Sequence, residues 1–129
     1  MNYKALVIYH IKDQKKEKKF IELCKRLQLY TRKIKPHDVN SSVGTLAGFP
    51  GMTAKKEKKA PAGYELPELL VFSGMSDKKL DEFLAEYRRE GIDTINLKAI
   101  VTAENISWSL YELTGELVKE RTSILMGQY

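Results

Sequence analysis

The sequence contains one cysteine, two histidines, no glycine-rich phosphate loop and no long apolar run, and each shortage removes a class of explanation. A lone thiol, Cys24, rules out an intramolecular disulfide and fits a reducing cytoplasm. His10, His37 and Cys24 are too scattered to form a zinc set, so no metal is expected. No stretch reaches the roughly 18 apolar residues of a membrane-crossing helix. The opening MNYKALVIYHIKDQ turns charged without a small-residue cleavage site and reads as a first strand, not a signal peptide. Neither a Walker-type nor a GxGxxG loop occurs, which counts against an ordinary nucleotide site. Ser73-Gly74-Met75-Ser76 follows a strand and precedes a helix but lacks the flanking glycines of a nucleophile elbow. No catalytic residue and no cofactor is assigned on these grounds.

What the chain does have is a clear change of periodicity from segment to segment. Leu69-Leu70-Val71-Phe72 is a short, continuously apolar run, the pattern of a strand buried on both faces. Ser76-Asp77 supplies a helix N-cap with an acidic first turn. Leu80, Phe83, Leu84 and Tyr87 then recur at i, i+3, i+4 and i+7, and Gly91 stands where a closing glycine belongs. Ile95 to Val101 is rich in β-branched residues and reads as the next strand. Thr102 to Asn105 opens a last helix, with Ile106, Leu110, Leu113 and Leu117 on its apolar face. Earlier, Ala5 to Tyr9 forms a first strand, Lys15 to Leu27 a helix burying Phe20, Leu23, Cys24 and Leu27, and Leu29 to Ile34 a charged edge strand. Asn40 to Phe49 reads as a short helix capped by Asn40 or Ser41. No internal repeat is visible beyond the βα alternation.

These elements predict one α/β domain over residues 1–129, with a small, mainly parallel sheet of about four strands and helices on both faces. The arrangement is of the Rossmann or flavodoxin kind, with strand order 2-1-3-4. A length of 129 residues and a 43% apolar fraction suit such a domain. Residues 50–65, rich in Lys, Gly and Pro, are expected to form a mobile loop.

Charge is distributed unevenly. Up to Leu66 there are 15 Lys or Arg against 6 Asp or Glu; from Pro67 onward there are 7 against 11. Lys15, Lys16, Lys18 and Lys19, with the lysines of the 50–65 loop, therefore form a candidate nucleic-acid surface. The bland reading is a solvated helix face and a loop, since no aromatics interleave the lysines.

PELLVFSGM, then the amphipathic helix, LKAIVT and N-x-S-W before an EL-x-x-E helix, together resemble a bacterial family of small domains known as a domain of unknown function. The resemblance covers about Leu66 to Glu120, and VGTLAGFPGM belongs to the wider pattern. It implies a bacterial, cytoplasmic protein and transfers no catalytic residue.

If all four strands run parallel, the order reverses between strands one and three, and a ligand crevice is expected beyond their C-terminal ends. His10, Lys12 and Asp13 would lie there with Ser73, Gly74 and Ser76, flanked by Thr102, Glu104 and Asn105. Free helix N–H groups would hold a small anion. Lys98 is a further candidate anion contact, or an edge lysine that deters strand addition. Trp108 and Tyr111, one turn apart, are candidate interface residues; they pack on the 50–65 loop, on the C-terminal tail or on a second subunit. His37-Asp38 has the composition of a base and its orienting carboxylate, but reads better as surface. The favoured function is a non-enzymatic binding or regulatory module whose partner is a second copy or another protein. The alternatives are an enzyme or small-anion or nucleotide binder using that crevice, and a nucleic-acid-associated protein; no membrane partner is expected.

Overall fold

The computed structural model describes residues 5–51 and 59–125. In chain order it comprises β1 (Leu6–His10), α1 (Gln14–Arg26), β2 (Tyr30–Lys33), a 3-10 turn (Pro36–Asn40), α2 (Val43–Leu46), β3 (Leu69–Ser73), α3 (Asp77–Arg89), β4 (Leu97–Ile100), a second 3-10 turn (Asn105–Ser107) and α4 (Leu110–Leu125). The four strands form one open sheet in the order β2-β1-β3-β4, as the connection rules predict. Residues 52–58, at the centre of the loop expected over 50–65, lie outside the described residues.

One pairing differs from the all-parallel arrangement. β1 runs parallel to β2 and β3 parallel to β4, but β1 and β3 are antiparallel, with Leu6 opposite Ser73 and His10 opposite Leu69. The reason lies in the connection from β2 to β3. A parallel neighbour needs a crossover that returns the chain to the opposite end of the sheet. Here the chain leaves β2, forms the 3-10 turn and α2 on one face, and enters β3 at the end where β1 finishes.

The sheet is thus two βαβ units joined along an antiparallel seam, and the units match closely. Leu6 and Leu69 open the first strands, Asp13 and Ser76 cap the helices, and Gln28 and Gly91 follow them with positive φ. Each of these landmarks in the second unit stands 63 positions after its counterpart, which corrects the expectation of no internal repeat. Asp13 and Ser76 each accept a hydrogen bond from the third backbone N–H of their helix, Lys16 at 3.0 Å and Lys79 at 3.1 Å.

Both unit helices cover one face of the sheet. Phe20 of α1 and Phe83 of α3, also 63 apart, are fully buried there and meet edge to face at 6.2 Å. α2 and α4 cover the other face through Val43, Leu46, Leu110, Leu113 and Leu117, against Ile8, Leu69, Val71 and Leu97. The lopsided charge ties the units together. Arg26 of α1 reaches Glu86 at 2.9 Å and Glu90 at 2.6 Å beside α3, and Lys16 reaches Glu68 at 2.8 Å.

Two local expectations are corrected. The short helix is capped by Ser42, whose hydroxyl accepts from Thr45 N–H, and Asn40 instead accepts from Ala60 N–H at 2.8 Å. The last helix does not open at Thr102. A 3-10 turn intervenes, and α4 starts only at Leu110, where Leu110 N–H donates to Ser41 and Val43 N–H to Trp108.

Candidate functional site

The antiparallel seam separates the residues expected to share one crevice. His10, Lys12 and Asp13 stand at one end of the sheet; Ser73, Gly74 and Ser76 stand at the other. No common crevice forms between the C-terminal ends of β1 and β3.

At the first end the polar groups satisfy one another. His10 Nδ1 lies 3.1 Å from the Pro67 carbonyl, Lys12 N–H donates to Glu68 at 2.8 Å, and Asp13 caps α1. Burial alone would raise the Glu68 carboxyl, but the Lys16 ammonium and the Lys12 N–H outweigh it and hold the group below its usual 4.5. A depressed folded value stabilises the protein above the unfolded value and is lost as pH falls through the folded one. Glu68→Gln is therefore expected to lower the melting temperature at pH 7 and to flatten its decline below about pH 4.5. A variant whose melting temperature falls with acid as steeply as the parent's would show that this carboxylate does not anchor α1 to β3.

The remaining histidine is no nearer to a site. His37 Nε2 sits 3.4 Å from Asp38, but its side chain is 77% exposed, and Asp38 is occupied in capping the 3-10 turn through Lys35 N–H. Cys24 is fully buried, and desolvation pushes its thiol up to about 12, the setting of an inert core residue. Among the described residues no cluster of three or more His, Cys, Asp or Glu side chains could hold a metal ion. No helix among them is long and apolar enough to cross a membrane.

At the second end Asn105 organises the exit from β4. Its Oδ1 accepts from Thr102 N–H at 2.8 Å, its own N–H donates to Thr102 Oγ1 at 3.1 Å, and its Nδ2 donates to the Ile100 carbonyl at 3.0 Å. Beside it lies a groove of about 450 Å³ that follows the outer edge of β4. Leu80 and Leu84 of α3 wall it on one face of the sheet; Trp108, Leu113 and Leu117 wall it on the other. Ile100, 49% exposed, projects from the strand itself.

Lys98 stands in this groove and also lines a smaller cavity of about 170 Å³ under α3. Its ammonium donates to the Ile95 carbonyl at 2.8 Å and meets no carboxylate among the described residues. Burial, then the nearby Arg121 and Arg88, push its pKa down. Glu116 and Glu120 of α4 lie on the rim.

Of the candidate residues, the groove brings together Lys98, Thr102, Glu104, Asn105 and Trp108. Ser73, Gly74 and Ser76 lie at the same end of the sheet without lining it, and His10 and Lys12 lie at the far end. Tyr111 packs edge to face on Tyr64 of the 50–65 loop at 4.9 Å, one of the intramolecular contacts expected for it. Lys15, Lys18 and Lys19 are exposed on α1, and the loop lysines 55, 56 and 58 lie outside the described residues. Leu80, Leu84 and Ile100 line the groove without being among the candidates named from the sequence. The available signal was Ile100, an apolar residue on the same side as Lys98 in a strand expected at an edge.

Residues 68–124 match the model of a family described as a domain of unknown function (DUF3783). The match runs from β3 through almost all of α4, so it contains the whole groove and leaves the first βαβ unit outside. No curated protein and no solved structure matches the chain.

Proposed function

We propose that the chain is a non-enzymatic binding or regulatory module whose contact surface is the groove along β4. The observation that carries this reading is an edge strand with apolar walls on both faces. Leu80 and Leu84 stand above a slot beside β4, and Leu113 and Leu117 stand below it. An extended segment laid in that slot would gain backbone hydrogen bonds from β4 and bury alternate side chains against α3 and α4, the geometry of strand addition. The other edge is built differently: all four residues of β2 are exposed, and they include Arg32 and Lys33, charges that discourage pairing.

Trp108 is the only tryptophan of the chain and lines the groove, so its fluorescence reports occupancy directly. Titration with a soluble, β-prone probe, acetyl-Val-Lys-Val-Thr-Val-amide, is expected to shift Trp108 emission and to perturb the amide resonances of Leu97 to Val101. Ile100→Asp is expected to weaken probe binding at least about tenfold, since a buried, unpaired carboxylate is costly. If the probe at millimolar concentration leaves both signals unchanged, the groove is not the contact surface.

A further inference from the structure

We propose that the segment occupying this groove is β4 of a second copy of the chain, paired antiparallel about a two-fold axis through Ala99. The inference rests on β4 being the contact surface and adds the identity of the partner and the register.

Backbone direction restricts the pairing. Val101 N–H donates to Phe72, so Val101, Ala99 and Leu97 turn their backbone groups toward β3. Alternate residues of a parallel ladder face opposite ways, which aims the groups of Lys98 and Ile100 outward. One of these four groups is shared, because the Ile100 carbonyl already accepts from Asn105 through one of its two lone pairs.

Three symmetric registers place outward-facing residues opposite one another, and two of them fail. Ile100 opposite its own copy sets Lys98 opposite Thr102, whose N–H is already given to Asn105, so only one complete hydrogen-bonded pair forms. Lys98 opposite its own copy places two ammonium groups side by side, a destabilising cross-strand pair. Lys98 opposite Ile100 avoids both faults and forms two complete hydrogen-bonded pairs. Each Ile100 N–H then donates to the Lys98 carbonyl of the other copy, and each Lys98 N–H to the Ile100 carbonyl, whose second lone pair keeps the bond from Asn105. Ala99, a small residue, falls on the axis, where the strands approach most closely.

The surroundings suit a second copy in two further respects. Leu113, Glu116, Leu117 and Glu120 line the groove at helical spacing, and Ile124 continues that stripe while 46% exposed. Together with Ile100 it gives the edge an apolar margin that a two-fold partner would cover. Charge is also self-complementary. Lys98 and Arg121 have no carboxylate partner among the described residues, while Glu120 and Glu116, the latter also 3.4 Å from Lys119, line the groove and would meet the cations of the facing copy. A surface that carries both halves of the match is what an isologous contact requires.

Sedimentation equilibrium of the full chain across micromolar to millimolar concentration is the first test. The parent is expected to dimerise, and Ile100→Asp to raise the dissociation constant at least tenfold with an unchanged circular dichroism spectrum. The second test reads the register. Ala99→Cys is expected to form an intermolecular disulfide under mild oxidation, because directly opposed residues of this kind sit about 4.5 Å apart at Cα, within disulfide reach. The parent supplies the control, its single thiol Cys24 being fully buried. A chain that stays monomeric throughout, or a dimer in which Ala99→Cys fails to cross-link, overturns the proposal. If the chain is monomeric while the pentapeptide still shifts Trp108, the groove binds extended segments and only the second-copy assignment falls.

Discussion

Phe83→Ala is expected to destabilise the protein by about 3–5 kcal/mol, the usual loss for truncating a fully enclosed aromatic ring. Phe83 is 0% exposed and stands within ring contact of three aromatic neighbours: Phe72 of β3 at 5.4 Å, Tyr87 of α3 at 5.8 Å and Phe20 of α1 at 6.2 Å. Those neighbours come from both βαβ units, so the ring cements the seam as well as its own helix. The surrounding groups are parts of two helices and a sheet and cannot collapse into the space left behind, so the cavity cost adds to the lost transfer energy. Urea unfolding measures the effect. With a slope of about 1–3 kcal/mol per molar, the midpoint should fall by at least about 1 M. Leu125→Ala, at a residue 70% exposed on α4, should stay within about 0.5 kcal/mol of the parent. A Phe83 variant as stable as that control would mean the two units are not packed through this ring.

Asn105→Ala is the second large effect, expected at about 1–3 kcal/mol. The amide closes a ring of hydrogen bonds with Thr102 and Ile100, and alanine leaves the Thr102 N–H and the Ile100 carbonyl without their partner. Asn105→Asp separates the two contributions. It keeps the acceptor for Thr102 N–H but sets a carboxylate against the Ile100 carbonyl, so it should recover little of the alanine loss if that bond dominates. The same substitutions free the edge of β4. Light scattering of Asn105→Ala should therefore show more association than the parent at equal concentration. An Asn105→Ala protein with unchanged stability and scattering would deny the amide both roles.

Much of this fold is legible in the sequence because its signals are local. Apolar runs mark the strands, the Leu80–Phe83–Leu84–Tyr87 stripe marks α3, and Ser76 and Gly91 bound it where a cap and a left-handed residue belong. The direction of β3 is not legible, since a strand buried on both faces has the same composition whichever way it runs. The crevice inherited that ambiguity: reversing one strand moves Ser73 from beside His10 to beside Leu6. The onset of α4 is not legible because Asn105 and Thr102 have the composition of a helix cap, yet their side chains serve a separate 3-10 turn. The repeat was there to find. Lys15-Lys16 and Lys78-Lys79, Phe20 and Phe83, and Lys25-Arg26 and Arg88-Arg89 fall in register at the common offset, but mostly different residues stand between them.

The antiparallel seam has a consequence for the order in which the chain folds. Within each unit the paired strands are close in sequence, Leu6 with Tyr30 and Leu69 with Leu97, so either unit closes over its own helix through short-range contacts. The seam pairs His10 with Leu69 and Leu6 with Ser73, contacts that restrict a far longer stretch of chain. Closing a loop costs entropy that grows only slowly with length, about 0.6 kcal/mol per doubling, yet it must be met before the seam gains anything. Docking of two half-formed units, with Phe20 meeting Phe83, is thus the expected rate-limiting event. Substitutions in the seam should slow folding more than those in α4, which packs on a face that becomes complete only after the units have joined.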